Sequence, residues 1–323
     1  MKYQQGIEFN DVLIRPLPSS VNSRTSVDIS VKLSNNLTLD FPLIASPMRG
    51  IVDANFALKL SELGGLAVLH RFYDTDEEWF NELEFLSNQP KCKFGTAIKL
   101  NDPNWEKIID YCPNILVVDL ANGYIKTLQE FCEKIKNRLL IENSGILLCS
   151  GNVCTKEGVQ NLKDSGVDIV RVGLGNGSVC STRNATSIGI PQITALQECS
   201  EVKDIIICSD GGLTGSGDAV KAIIAGANIL MGGLLFSRTY ESPNGGSIYG
   251  MASRQLMNEI GYLPKSVEGF SKMVDKNMSL KQFVEEFGWG MKSAGTYLNA
   301  RSLKEIRENG KFVLIGDGSI KNL

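Results

Sequence analysis

A chain of 323 residues, 43% hydrophobic and 21% charged, has ordinary globular composition and the length for a large core. Its formal charge of −3 gives no general electrostatic reason to bind nucleic acid or a membrane surface. The first residues hold no apolar signal core and no later run reaches membrane-spanning length, so a cytoplasmic location is expected.

The eight cysteines form no CxxC pair and fall mostly in predicted strands and helices, which fits free thiols in a reducing compartment. The only histidine is His70. That excludes HExxH zinc chemistry and argues against a histidine triad. Acid–base work then falls to carboxylates, hydroxyls, lysine or arginine.

Eight short apolar runs follow one another along the chain: Pro42–Ala45, Gly65–Leu69, Phe94–Ala97, Ile115–Val118, Ile146–Cys149, Ile169–Val172, Ile205–Cys208 and Ile229–Met231. Each has the length of a buried parallel strand and leads into a loop rich in Gly, Asp, Ser or Asn. Amphipathic segments stand between them, among them Asn55–Leu63, Glu77–Leu86, Gln129–Ile135, Lys156–Asp164 and Asp218–Ala225. Eight alternating units predict a closed (β/α)8 TIM barrel rather than an open doubly wound sheet, as a single domain over 1–323. The segment at about 237–276 is less regular and reads as a flap over the catalytic face. A helix over Leu280–Lys292 closes the barrel, and a short irregular tail is expected after Gly310.

In such a barrel the loops after the strands gather at one end. The sixth strand runs into Arg171-Val-Gly-Leu-Gly-Asn-Gly-Ser-Val-Cys180-Ser-Thr182-Arg183, where glycines at 173, 175 and 177 leave backbone groups open to a ligand and Cys180 is a candidate nucleophile. Ser209-Asp210-Gly211-Gly212 follows the seventh strand and Gly232-Gly233 the eighth, the loops on which phosphate often sits in this fold. Asp210 is placed to suit a ribose diol. Asp119 ends the fourth strand, which favours a ligand contact. Asp11, in Asn10–Pro16, precedes the first strand, and Glu268 lies in the flap.

These motifs, together with Ser46-Pro-Met48, Ser150–Val153, Pro191-Gln192, Gly217–Ala222, Tyr249–Met251 and Glu268-Gly269, resemble the IMP dehydrogenase / GMP reductase family over nearly the whole length. The reductase branch is the nearer match. Asp119-Leu-Ala-Asn-Gly-Tyr124 is similar to the reductase version, residues 71–92 leave no room for inserted CBS regulatory domains, and the flap lacks the Arg-Tyr pair with which dehydrogenases activate water.

The resemblance implies NADPH-dependent reductive deamination of GMP, or a related purine 5′-nucleotide, to IMP and ammonia. Cys180 attacks purine C2, and Thr182 and Glu268 manage the proton on the leaving ammonia. Asp11 is counted with the catalytic candidates. The nucleotide falls to Ser46, Met48, Ser178, Asp210, Gly211, Gly212, Gly232, Gly233, Tyr249, Gly250, Met251, Ala252 and Gly269. The cofactor falls to Arg71, Asp119, Leu120, Ala121 and Asn122. Backbone at Gly175, Gly177, Cys180 and Arg183 matches a monovalent-cation site, usually potassium, and a homotetramer is implied. The alternatives are an IMP dehydrogenase without regulatory domains and a non-catalytic nucleotide-binding homologue.

Four departures stand out. Arg49-Gly50 replaces the usual Asp-Thr, and Arg71 replaces a lysine and can supply only fixed charge. The flap is shorter than in typical reductases; Asn176 stands where a proline or serine is usual, and the sequence attaches no role to it.

Overall fold

The computed structural model describes residues 5–243, 245, 247–249, 253, 269 and 271–315, with residue 249 as backbone only. Its centre is a closed barrel of eight parallel strands. These are β1 (Leu43–Ala45), β2 (Leu66–Leu69), β3 (Phe94–Ile98), β4 (Ile115–Asp119), β5 (Leu147–Val153), β6 (Ile169–Val172), β7 (Ile206–Asp210) and β8 (Ile229–Gly232). All eight expected runs become strands, in chain order around the ring, and β8 pairs with β1 to close it.

The strands are apolar on both faces because both faces are covered. In β4, Ile115 and Val117 join Val68, Cys149, Ile169 and Cys208 inside the barrel, while Leu116 and Val118 pack outward under the helices. The same parity turns the last inward position of four neighbouring strands toward the catalytic end: Asp119, Gly151, Arg171 and Asp210. The opposite end is stoppered by a hairpin, Val31–Lys32 with Thr38–Leu39, whose Leu33, Leu37 and Leu39 join the interior cluster. No expectation covered this plug.

The helices that cover the strands are α1 (Ala54–Glu62), α2 (Asp76–Ser87), α3 (Trp105–Ile109), α4 (Lys126–Ile141), α5 (Lys156–Asp164), α6 (Gln192–Cys199), α7 (Ser216–Ala225) and α8 (Leu280–Tyr297). Asp53, Thr75, Thr155 and Ser279 cap α1, α2, α5 and α8, each side chain accepting a first-turn N–H. Helix α8 outruns its expected end at Lys292. Gly295, inside it, lets the helix press on Val27, which a Cβ would meet at 2.7 Å.

Two further expectations change. The chain after Gly310 is not all irregular, since Phe312–Leu314 pairs antiparallel with Val12–Ile14. The flap has an ordered base, Ser247–Tyr249 paired with Ser271–Met273, while 254–268 lies outside the described residues. Among the described residues no helix is long and apolar enough to cross a membrane.

His70 is structural. It is buried at the end of β2, stacks on Tyr73 at 4.3 Å between centroids, and its Nδ1 accepts the Phe72 N–H. Burial, with Arg49 nearby, lowers its imidazole to about 3. The folded protein therefore refuses a proton that the unfolded chain takes below about 6.5. From this group alone, stability is expected to fall by about 1.4 kcal/mol per pH unit as pH drops from 6.5 toward 3. His70→Asn, which keeps an acceptor for Phe72 but does not titrate, should flatten that slope in urea unfolding measured from pH 7 to pH 4.5.

Candidate active site

The loops after β6, β7 and β8 enclose a cavity of about 240 Å³. Its walls are Ser46 and Met48 after β1, Asn176–Val179 after β6, Asp210–Thr214 after β7 and Met231–Leu234 at the end of β8. Two larger grooves, of about 550 and 520 Å³, lie on the helical flanks beside Trp289 and Trp105, and neither is bordered by the β6 loop. The cavity thus collects Ser46, Met48, Ser178, Asp210, Gly211, Gly212, Gly232 and Gly233. Tyr249 contributes described backbone only, and Gly250, Met251 and Ala252 fall outside the described residues.

The glycines do different work. At Gly173 the backbone has φ +148° and a Cβ would stand 2.1 Å from the Asp210 carbonyl oxygen, so the β6 and β7 loops touch only because the side chain is missing. Gly177 has no positive φ, and a Cβ there would meet only Cys180 Cβ at 3.5 Å. Gly233 is a close approach: its Cβ would strike Met48 Sδ at 2.7 Å.

Cys180 follows the cavity wall directly and is partly exposed. Its Sγ shares a hydrogen bond of 3.2 Å with Thr182 Oγ1, and its backbone forms an antiparallel bridge with Gly269, the residue after Glu268 in sequence. Glu268 itself lies outside the described residues. Burial raises the thiols of Cys92, Cys132, Cys149, Cys154, Cys199 and Cys208, those of Cys132 and Cys149 to about 12. None of these six is a useful nucleophile near neutrality. Cys112 is exposed in a turn outside the barrel mouth.

The loop is stapled from outside. Arg183 donates to the Leu174 carbonyl at 3.0 Å, to the Ile190 carbonyl at 2.6 Å and to Glu8, whose carboxylate also takes the Gln192 N–H at 2.8 Å. Gln192 is fully buried, with its amide nitrogen on the Val172 carbonyl and Ser209 Oγ. Glu8 and Gln192 escaped the candidate residues. The Glu8 signal is invisible in sequence, because its partners lie more than 170 positions away.

Behind the cavity, parity builds a charge network. Arg171 donates to Asp119 Oδ1 at 2.7 Å and to Asp210 Oδ2 at 3.0 and 2.8 Å. Arg71 adds a bond to Asp119 Oδ2 at 3.2 Å, and Asn152 one to Asp210 Oδ2 at 2.8 Å. Burial opposes the charge on Arg171, but Asp210 and then Asp119 outweigh it and raise its pKa above the ordinary guanidinium value. Every described bond to Asp210 falls on Oδ2, which leaves Oδ1 as an acceptor for a ligand hydroxyl. Arg171 was missed as a site residue, although a charge two positions after an inward Ile169 carried the signal.

Asp119 is thus buried in the network, whereas Ala121 and Asn122 of the same loop are exposed beyond it. Arg49 does not present a bare charge to the nucleotide. It makes a two-pronged pair with Asp74 at 3.0 and 3.1 Å and donates to the Phe72 carbonyl, tying the β1 loop to the β2 loop. The Asp11 carboxylate accepts the Glu8 N–H at 2.7 Å in a capping box.

A (β/α)8 barrel with a cysteine loop after β6 and a glycine-lined cavity on the β7 and β8 loops has the architecture of a nucleotide-handling barrel. The model of the IMP dehydrogenase / GMP reductase domain matches residues 6–322. A GMP reductase from Buchnera aphidicola is 32% identical over 343 residues, covering 98% of this chain and 97% of its own. A GMP reductase from Salmonella paratyphi B is 32% identical, covering 95% and 94%. An inosine-5′-monophosphate dehydrogenase from Borreliella burgdorferi is 28% identical, covering 98% and 96%. The chain belongs to the IMP dehydrogenase / GMP reductase family, whose members are oxidoreductases that bind purine 5′-nucleotides and use a nicotinamide cofactor.

Proposed function

We propose that the protein is an NADPH-dependent GMP reductase. The observation that carries the reading is the pairing of Cys180 Sγ with Thr182 Oγ1 beside the cavity of the β6, β7 and β8 loops. Both reductases and dehydrogenases occur among the relatives, so the choice between them rests on residues. The Asp119-Leu-Ala-Asn-Gly-Tyr124 loop and the absence of an Arg-Tyr pair in the flap favour the reductase.

In this reading the nucleotide phosphate rests on the loop at Gly211–Thr214 and the turn at Gly233-Leu234, and Asp210 Oδ1 takes a ribose hydroxyl. The Cys180 thiolate adds to purine C2. The C2–N bond breaks once the amino group is protonated, because ammonia leaves far better than amide ion. Thr182 and Glu268 relay that proton. A nicotinamide held beside this loop would supply a hydride to C2; Cys180 would then leave as the thiolate when the C2–S bond breaks, with IMP released. Asp119 and Arg71, with Leu120–Asn122 beyond them, fit the cofactor because they put a paired carboxylate and exposed backbone next to the thiol loop.

Backbone carbonyls of Gly175, Gly177, Cys180 and Arg183 would hold a monovalent cation, which would shape the loop rather than enter a step. The Arg183 guanidinium already supplies a fixed positive charge to the same loop. The homotetramer and the cytoplasmic location implied by the resemblance belong to the same proposal.

The test mixes the protein with GMP and NADPH and follows loss of reduced-cofactor absorbance. Turnover with release of IMP and ammonia is expected. Failure with every guanine nucleotide, or production of reduced cofactor from IMP and NAD instead, overturns the reading.

A further inference from the structure

The β6 loop carries the thiol and the β7 loop carries the nucleotide cradle, so a displacement at C2 depends on how the two are held together. One side chain of the thiol loop bonds across that boundary. Asn176 Nδ2 donates to Gln192 Oε1 at 2.7 Å and to the Asp210 carbonyl at 3.1 Å. Its orientation follows from chemistry. The Gln192 amide nitrogen is engaged by the Val172 carbonyl at 2.8 Å and Ser209 Oγ at 3.1 Å, so only the oxygen of Gln192 turns to Asn176. Both groups that Asn176 meets are then acceptors, and its NH2 must face them. The carboxamide oxygen lies over Gly211, where a Cβ would come within 2.8 Å, so the side chain fills the gap between the two loops.

We propose that Asn176 is a positioning residue that registers Cys180 against the nucleotide cradle. The inference rests on the GMP reductase reading for the identity of the nucleotide, but not for the existence of the link. It is a hydrogen-bond role that the proline or serine usual at this place could not fill, since proline has no side-chain donor and a serine hydroxyl has one proton for two acceptors. Reacting atoms must approach to about 3–3.5 Å, and misplacement by about 1 Å costs on the order of a hundredfold in rate.

The informative variant is Asn176→Asp. It keeps the shape but removes both donors and sets a carboxylate against two oxygens. Asn176→Ala removes shape as well. Two readouts are taken on the full chain: amide hydrogen exchange across residues 174–181 and 210–213 without any ligand, and kcat and KM with GMP and NADPH. In N176D, exchange in both loops is expected to quicken by about tenfold or more while the barrel strands stay protected. The kcat is expected to fall by about tenfold or more, and since Asn176 also lines the nucleotide cavity KM for GMP rises with it. Alkylation of Cys180 by iodoacetamide should stay within about twofold, since Asn176 does not touch the thiol. If Asp restores what Ala loses, Asn176 only fills space and the proposal falls. It falls equally if loop exchange is unchanged, or if alkylation drops as far as kcat. A wild-type chain inert toward GMP sinks the functional reading instead, and the exchange experiment then decides the link by itself.

Discussion

Cys180→Ala is expected to lower turnover of GMP by about four orders of magnitude or more while nucleotide binding stays within a few-fold of wild type. The size follows from the chemistry. Without a thiolate, C2 has no covalent partner, and hydride must be delivered to an aromatic ring that still holds its amino group. No other thiol can substitute. Burial holds Cys149 inside the barrel at about 12, and that of Cys208 is raised as well. Binding survives because the cradle is made of Asp210–Thr214 and Met231–Leu234, none of which needs the sulfur. Two measurements check this: the rate of cofactor oxidation, and intact-protein mass spectrometry of the wild type quenched in turnover, which should show a nucleotide-sized adduct that C180A lacks. Turnover of C180A within tenfold of wild type would falsify the nucleophile assignment. Thr182→Val should fall between the two, because it removes the hydroxyl that bonds Sγ at 3.2 Å but keeps the thiol.

The barrel was legible because its signal is local. A run such as Ile115–Val118 between two loops needs no partner to be read as a buried strand, and eight of them count out the fold. The loop residues were legible for the same reason: strand ends can be placed, and in this fold function sits there. What stayed hidden is whatever depends on distant pairing. Phe312–Leu314 becomes a strand only by lying against Val12–Ile14. Asp11 was read as a catalytic candidate from its motif, but its capping of Glu8 is a matter of backbone geometry. Arg49 and Arg71 read as charges offered to a ligand, and both turn out to be paired, with Asp74 and Asp119. Arg171 is the instructive omission. Alternation along Ile169-Val-Arg171 points its side chain into the barrel, and a buried arginine needs carboxylates. Asp119 and Asp210, themselves singled out at the ends of two other strands, were the natural partners.

That arginine carries the largest expected effect on stability. Arg171→Met keeps most of the side-chain volume but leaves Asp119 and Asp210 without the cation they share. Removing one partner of a buried ion pair costs about 3–5 kcal/mol, because the remaining charge is stranded rather than because the pair itself is worth so much. Here two carboxylates lose a partner, and the relief is incomplete: Arg71 stays on Asp119 at 3.2 Å and Asn152 on Asp210 at 2.8 Å. A loss of about 3–5 kcal/mol in urea unfolding at neutral pH is therefore expected. Replacing all three residues together with apolar side chains should cost less than R171M alone, which separates stranded charge from lost packing. The functional consequence comes from the same geometry. In the proposed reading Asp210 serves the nucleotide and Asp119 the cofactor, and one guanidinium bonds both carboxylates. Arg171→Lys retains the charge but cannot bridge two carboxylates with fixed forks. It should fold better than R171M and yet raise KM for nucleotide and cofactor together. A rise in only one of them would show that the network does not couple the two halves of the site.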